Sequence, residues 1–290
     1  MLFTNSFPFG KGEEFLETEI SYWEDYITKA KCTLTIIPKS FVGEKRNLPE
    51  NINVDISFAQ IFSKKKFFLT KAIYKLKALF STTIWREIIH LFHCKKLSIS
   101  TASRAIKCFA KANFLSNCLS AFFRDNYIDV SYHYWCDISY LAAVLIDLKS
   151  DIRILCRAHG IDLYEEQNKY GYIPLRKQFT DKMKEVRCIS NQGISYLSAN
   201  FNIDTENLYC NYLGVHLPKN LTSTSPAESI RIVSVSSCTE VKRVDKIIES
   251  LIILKKLLPK LILSWTHFGD GPLRHVYQQK ARKNLISLGV

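Results

Sequence analysis

The feature that most constrains this chain is an alternation of strand and helix patterns that halts at a polar stretch and resumes beyond it. Residues 2–6 form a short apolar strand pattern, and 7–12 a turn containing Pro8, Gly10 and Gly12. Residues 13–29 have helical periodicity with two acids in the first turn, where the helix dipole favours them. Residues 32–38 alternate and are β-branched, so they predict a strand; 41–57 read as irregular and 64–124 as mainly helical. Alternation then returns, with strands predicted at 127–132, 152–157, 185–189 and 207–212. Helices are predicted at 138–148, 174–183 and from Ser190, a plausible N-cap, to about 200. After the polar residues 218–226 the pattern restarts: strand 230–235, helix 244–258, strand 261–268, helix 272–283 and the start of a strand at 285–288. Such a chain predicts two doubly wound α/β units, 1–217 and 229–290, joined by a linker at 218–228. The first carries a basic helical insertion at about 61–124, and the second stops at the start of its third strand pattern.

Composition narrows the class. Hydrophobic residues are 47 % and charged residues 23 % of 290, ordinary for a folded chain and incompatible with a disordered or low-complexity one. Nine cysteines are scattered with no C-x-x-C pair, so free thiols are expected rather than a disulfide framework or a zinc knuckle. The start lacks a basic region ahead of an apolar run, and the most apolar stretch, 247–263, is broken by charges and Pro259. A cytoplasmic, non-transmembrane protein is the expectation.

The net charge of +13 favours an anionic partner, and it is concentrated. Between 61 and 120 twelve Lys and Arg face the single acid Glu87. There Leu69, Ile73, Leu76 and Phe80 share a helical face, Lys64, Lys71 and Lys75 share another, and Phe67, Phe68 and Tyr74 are interleaved. Two readings fit: a core-facing helix with solvated lysines, or a basic helix lying on an anionic membrane. No nucleic-acid-binding motif accompanies the charge, so nucleic acid is not the expected partner.

In doubly wound sheets ligands bind outside the carboxyl ends of the strands, so the turns after strands are where chemistry is expected. Phe9-Gly10-Lys11-Gly12-Glu13 lets backbone approach a ligand but lacks P-loop or dinucleotide spacing, and a plain tight turn explains it as well. His159, in Arg157-Ala158-His159-Gly160, follows a strand directly, and His133, in Tyr132-His133-Tyr134-Trp135, follows the preceding one; either imidazole could donate or accept a proton in a cleft, or be structural. In 236–245, Lys242 and Arg243 stand at a helix start, an arrangement suited to a diphosphate. Gly269-Asp270-Gly271-Pro272 forms a tight turn, with proline at a first helical position.

Taken in order, these segments resemble a family 4 glycosyltransferase of the GT-B fold, the class that builds bacterial O-antigen, capsule and exopolysaccharide. The resemblance rests on Ala158–Tyr164 with 171–176, on 208–215, and on Val241-Lys242-Arg243-Val244-Asp245 followed by Gly269-Asp270-Gly271-Pro272-Leu273. It runs from about residue 127 to the end and, loosely, over 7–20. It implies two Rossmann-like domains facing across a cleft and a retaining transfer of a sugar from a nucleotide-sugar, a substrate rather than a cofactor, with no metal. The acceptor implied is a lipid-linked glycan at the inner face of the plasma membrane, to which the basic segment would dock peripherally. It implies that His159 contacts the donor sugar and stabilises charge at the reacting carbon. Lys242 would bind donor phosphate, with Ser237, Arg243 and Gly271 around it. Gly10 and Gly12 would face the donor phosphates or the acceptor across the cleft, with His133 in the same acceptor or cleft loop set. Ser237 stands where the family commonly has Arg, and Arg243, at a position often Gly, would replace that charge. The family's E-x7-E pair should follow the Gly-Asp-Gly-Pro turn, yet no Asp or Glu follows Asp270. The expectation is a truncated chain, poorly soluble or inactive alone. A non-catalytic α/β binding or regulatory protein of the same descent is the alternative.

Overall fold

A computed structural model of the chain describes residues 1–63, 66–146, 152–215, 217–218, 220, 226 and 228–290. Lys64 and most of the expected linker lie outside the described residues, as do the side chains of 61–69. The chain divides into two compact units, Met1–His216 and Leu217–Val290.

The first unit is a seven-stranded parallel sheet. Strand β1 (Leu2–Thr4) leads to α1 (Phe15–Ala30), β2 (Leu34–Pro38) and β3 (Ile52–Val54). Four helices follow: α2 (Ser57–Ser63), α3 (Lys66–Leu79), α4 (Thr82–His93) and α5 (Ile99–Asp125). Then come β4 (Val130–His133), α6 (Ile138–Val144), β5 (Arg153–Ala158), α7 (Gly160–Leu163), β6 (Val186–Cys188), α8 (Asn191–Phe201) and β7 (Leu208–Cys210). The order is β3-β2-β1-β4-β5-β6-β7, so the winding reverses between β1 and β4. β3 is a strand within a stretch that reads as irregular. Its three residues pair with Leu34–Ile36 at the sheet edge, too short to show a period.

Alternation along the strands splits the core between the faces. Leu2, Ile36, Tyr132 and Leu155 pack against Leu16, Ile20 and Ile27 of α1. Phe3 and Ile37 pack on the other face with Phe58, Leu115, Leu119 and Ala142 from α2, α5 and α6. Farther along, Cys156, Ala158, Val186 and Cys188 meet Leu197 and Phe201 of α8. Helix starts follow local chemistry. Ser190 caps α8 through the Gly193 N–H at 3.2 Å, and Ser98 and Thr101 form a reciprocal capping box on α5. All nine cysteines carry free thiols.

The second unit is smaller. β8 (Ser229–Val235) and β9 (Ile262–Phe268) pair in parallel over seven residues, with α9 (Val244–Leu257) and α10 (Arg274–Asn284) packed through Val244, Ile248, Leu251, Leu263 and Tyr277. The strand expected at 285–288 is instead a 3₁₀ turn. The Leu285 N–H continues α10 by bonding to the Ala281 carbonyl, and Leu285 is buried in the core, so the segment is already committed to the helix layer.

Candidate functional site

The winding reverses between β1 and β4, and in such sheets ligands bind at the carboxyl ends of the strands beside that point. Three segments converge there: the glycine turn after β1, Tyr134–Trp135 after β4, and His159 after β5.

The glycine turn is built rather than loose. Gly10 has φ +62°, and a Cβ on it would lie 2.6 Å from the Val42 carbonyl oxygen, so only glycine fits. Gly12, at φ +96°, has open space around it. Arg46 donates to the carbonyls of Gly10 at 2.7 Å and Gly12 at 2.9 Å. Glu13 is buried, and its carboxylate accepts the N–H groups of Asn5 (2.9 Å), Ser6 (2.8 Å) and Phe7 (2.8 Å). It also accepts the indole N–H of Trp135, 122 positions away in sequence. One carboxylate therefore fixes the turn after β1 to the segment after β4.

Trp135 in turn forms a wall for His159. Their ring centroids are 4.5 Å apart, with Tyr134 at 5.3 Å and Phe15 at 5.9 Å completing an aromatic enclosure. The His159 backbone N–H donates to Asp162 Oδ1, and Asp162 Oδ2 accepts the Cys136 N–H at 2.8 Å. His159 is only 6 % exposed, yet neither ring nitrogen has a hydrogen-bond partner among the described residues. The Asp162 Oδ2 oxygen is 3.9 Å from its Nδ1. A buried imidazole with both nitrogens unsatisfied is costly, and sites of that kind commonly complete their bonding with a ligand.

His133 differs. It is fully buried within β4, stacked on Phe3 at 4.6 Å, and its two ring nitrogens meet the hydroxyls of Ser131 and Ser139, each at 3.1 Å. Burial pushes its pKa down to about 3, keeping it neutral. It is a core histidine and does not line a cleft. Beside it, burial would raise the Asp137 carboxyl, but the Lys39 ammonium and the N–H and hydroxyl of Ser139 hold it below the usual carboxylate range.

In the second unit Ser237, Lys242 and Gly271 gather at the carboxyl ends of β8 and β9. The two loops there are zipped together. The Cys238 N–H donates to the Asp270 carbonyl at 2.8 Å, and the Leu273 N–H to the Cys238 carbonyl at 3.0 Å. A Cβ on Gly271 would lie 2.7 Å from the Cys238 carbonyl oxygen, so this glycine permits the close approach. Lys242 is exposed, and its ammonium has no partner among the described residues. Arg243 does not supply a second free cation: its guanidinium forks onto Asp245, with contacts at 3.1 and 3.2 Å. Its φ of +51° places it in the left-handed region, where glycine carries no penalty.

A separate groove of ≈ 880 Å³ runs along α1 over the sheet face from β2 to β6, lined by Trp23, Tyr26, Tyr132, Leu155, Arg153 and Arg187 among others. None of the candidate residues lines it.

The fold defined by these elements is that of the GT-B glycosyltransferases. The lipopolysaccharide outer core galactosyltransferase WaaB, in its apo form, superposes with a TM-score of 0.60 at 14 % identity, over 99 % of this chain and 65 % of that one. Weaker likenesses are a trehalose-6-phosphate synthase (TM-score 0.45, 11 % identity, 99 % and 67 % covered) and S. aureus TarM. TarM, in a mutant complex with fondaparinux, α-GlcNAc-glycerol and UDP, gives a TM-score of 0.43 at 13 % identity, with 61 % and 34 % covered. The chain spans about two thirds of WaaB and a third of TarM. No protein-family model and no curated protein sequence matches it.

Proposed function

We propose that this chain is glycosyltransferase machinery: it binds a nucleotide-sugar and directs its sugar, with retention and without a metal, to a glycan acceptor, lipid-linked, in bacterial surface polysaccharide synthesis. The observation that carries the reading is His159, buried in an aromatic enclosure with both ring nitrogens unoccupied, at the end of β5, one strand from the switch point of a GT-B sheet. Half-buried Trp135 and Phe15 give an apolar surface on which a sugar ring can rest, and the imidazole supplies a hydrogen-bonding group at the reacting end. Lys242, unpaired among the described residues in the turn that leads from β8 into α9, suits donor phosphate.

Calorimetric titration with UDP- and GDP-sugars tests it. Lys242→Ala should abolish binding of nucleotide and nucleotide-sugar alike. His159→Ala should leave nucleotide binding intact and reduce the extra affinity conferred by the sugar. Absence of any nucleotide binding by the wild-type chain, or sugar-dependent affinity unaffected by His159→Ala, would remove the reading and favour a non-catalytic binding protein.

A further inference from the structure

One buried charge in the first unit lacks the partner that buried charges require. Arg176 opens a 3₁₀ stretch (Arg176–Lys182) and is 6 % exposed. Its guanidinium donates to the Asp162 carbonyl at 2.5 Å, to the Cys136 sulfur at 3.1 Å and to the Cys136 carbonyl at 3.5 Å. The Asp162 carboxylate is taken instead by the N–H groups of Cys136 and His159. A guanidinium removed from water and met only by carbonyls is strongly disfavoured. Of the groups Arg176 is bonded to, only the Cys136 sulfur can become an anion.

Cys136 lies in the turn after β4. On one side is Trp135, which walls His159; on the other is Asp137, which caps α6 by accepting the Ser139 N–H at 2.9 Å. Cys156 of β5 belongs to the same core cluster, and its thiol hydrogen-bonds to the Cys136 sulfur. That bond, with Arg176 beside it, holds the Cys136 thiol below its usual range, against burial and the nearby Asp162 and Asp137 carboxylates. Burial and the neighbouring sulfur push Cys156 up. The two sulfurs are therefore unequal. The one that two donors stabilise as an anion is the more exposed, and the one that keeps its proton is fully buried.

We propose that Cys136 and Cys156 form a peroxide-sensitive pair, with Arg176 as counter-ion to the attacking sulfur. The Cys136 sulfur attacks one oxygen of hydrogen peroxide, the O–O bond breaks, and hydroxide leaves and takes a proton from solvent as water. Cys136 is then a sulfenic acid. The Cys156 sulfur attacks the Cys136 sulfur, the S–O bond breaks, and the Cys156 proton departs with that oxygen as a second water. Two electrons pass from the two sulfurs to the peroxide. Closure takes the counter-charge from Arg176 and draws the turn that carries Trp135 toward β5. The oxidation does not depend on the sugar-transfer reading; only its effect on a ligand at His159 does.

Peptide mapping of the folded full chain during titration with hydrogen peroxide at neutral pH tests it. The linked Cys136–Cys156 peptide should form about tenfold faster than the exposed Cys32 is oxidised. Cys156→Ser should halt the reaction at a sulfenic acid on Cys136 that dimedone traps. Arg176→Gln should slow oxidation of Cys136 by about tenfold. Because Arg176 is buried, thiolate ultraviolet absorbance of the wild-type chain gives a second readout: it should be present at neutral pH and lost in Cys136→Ser. Oxidation of Cys136 no faster than that of Cys32, a product linking a different pair, or a thiolate absorbance that Cys136→Ser leaves unchanged would overturn the inference. Nucleotide titration of the reduced chain separates the two proposals: a chain that binds nucleotide while Cys136 resists peroxide refutes only this one.

Discussion

The two units solve the same problem to different degrees. A parallel sheet is stable when helices cover it, because its strands are apolar on both sides. In the first unit β1 is covered by α1 on one face and by α2, α5 and α6 on the other, leaving Leu2 and Phe3 almost wholly buried. In the second, α9 and α10 cover one face of two strands, while Val233, Val235, Ile262 and Phe268 remain exposed on the other. Both units place their candidate turns at the carboxyl ends of strands. In the first, a buried carboxylate and an aromatic enclosure hold the turns. In the second, backbone hydrogen bonds between neighbouring loops do so. The candidate histidine, His159, is therefore held in a packed aromatic frame in the first unit, while the candidate lysine, Lys242, stands exposed on a turn of the second.

Acid should strain this contrast most. His133 has its folded pKa depressed to about 3 against about 6.5 unfolded, so its contribution is complete above pH 6.5 and is lost as pH falls toward 3. The expected loss is roughly 4 kcal/mol over that interval, read by hydrogen exchange in β1, β4 and β5; His133→Gln should flatten it. Asp137, also depressed, adds to the loss only below about pH 4. A first unit whose protection is constant from pH 7 to about 4 would break the assignment of His133 to the core.

Glu13→Ala comes next. It strands three backbone N–H groups and the Trp135 indole, at a cost of about 3 kcal/mol to the first unit. Trp135 fluorescence should change with it, and protection in β8 and β9 should not. Gly269→Ala is the mirror experiment. A Cβ there would lie 1.8 Å from the Ser236 carbonyl oxygen, so the zipped loops must part. A loss of about 2 kcal/mol is expected, confined to β8, β9 and α9 in exchange data. If either substitution destabilises both units equally, they are one cooperative body and the contrast fails.

Much of this organisation was legible in the residues. Helix and strand periods differ, so the alternation and its two stretches could be read directly, as could the placement of His159 after a strand. Other features could not. His133 and Tyr132 alternate along β4, but when both faces are covered the period does not say that the histidine ends between two serines. Glu13 and Trp135 meet across 122 positions, a distance no local pattern spans. In α3 the period reveals an apolar face but not its occupant: Ile73, Leu76 and Phe80 point outward, while Ala78 makes the packing contact. Arg243 reads as a cation for phosphate, yet Asp245 two residues on claims it.

The most direct test of the central claim compares two histidines in one sample. With ¹⁵N-labelled imidazoles, addition of a binding UDP- or GDP-sugar should shift the ring nitrogens of His159, which are unoccupied, and leave those of His133, which are bonded to serines, unchanged. A His159 signal that stays still while nucleotide-sugar is bound would contradict the account.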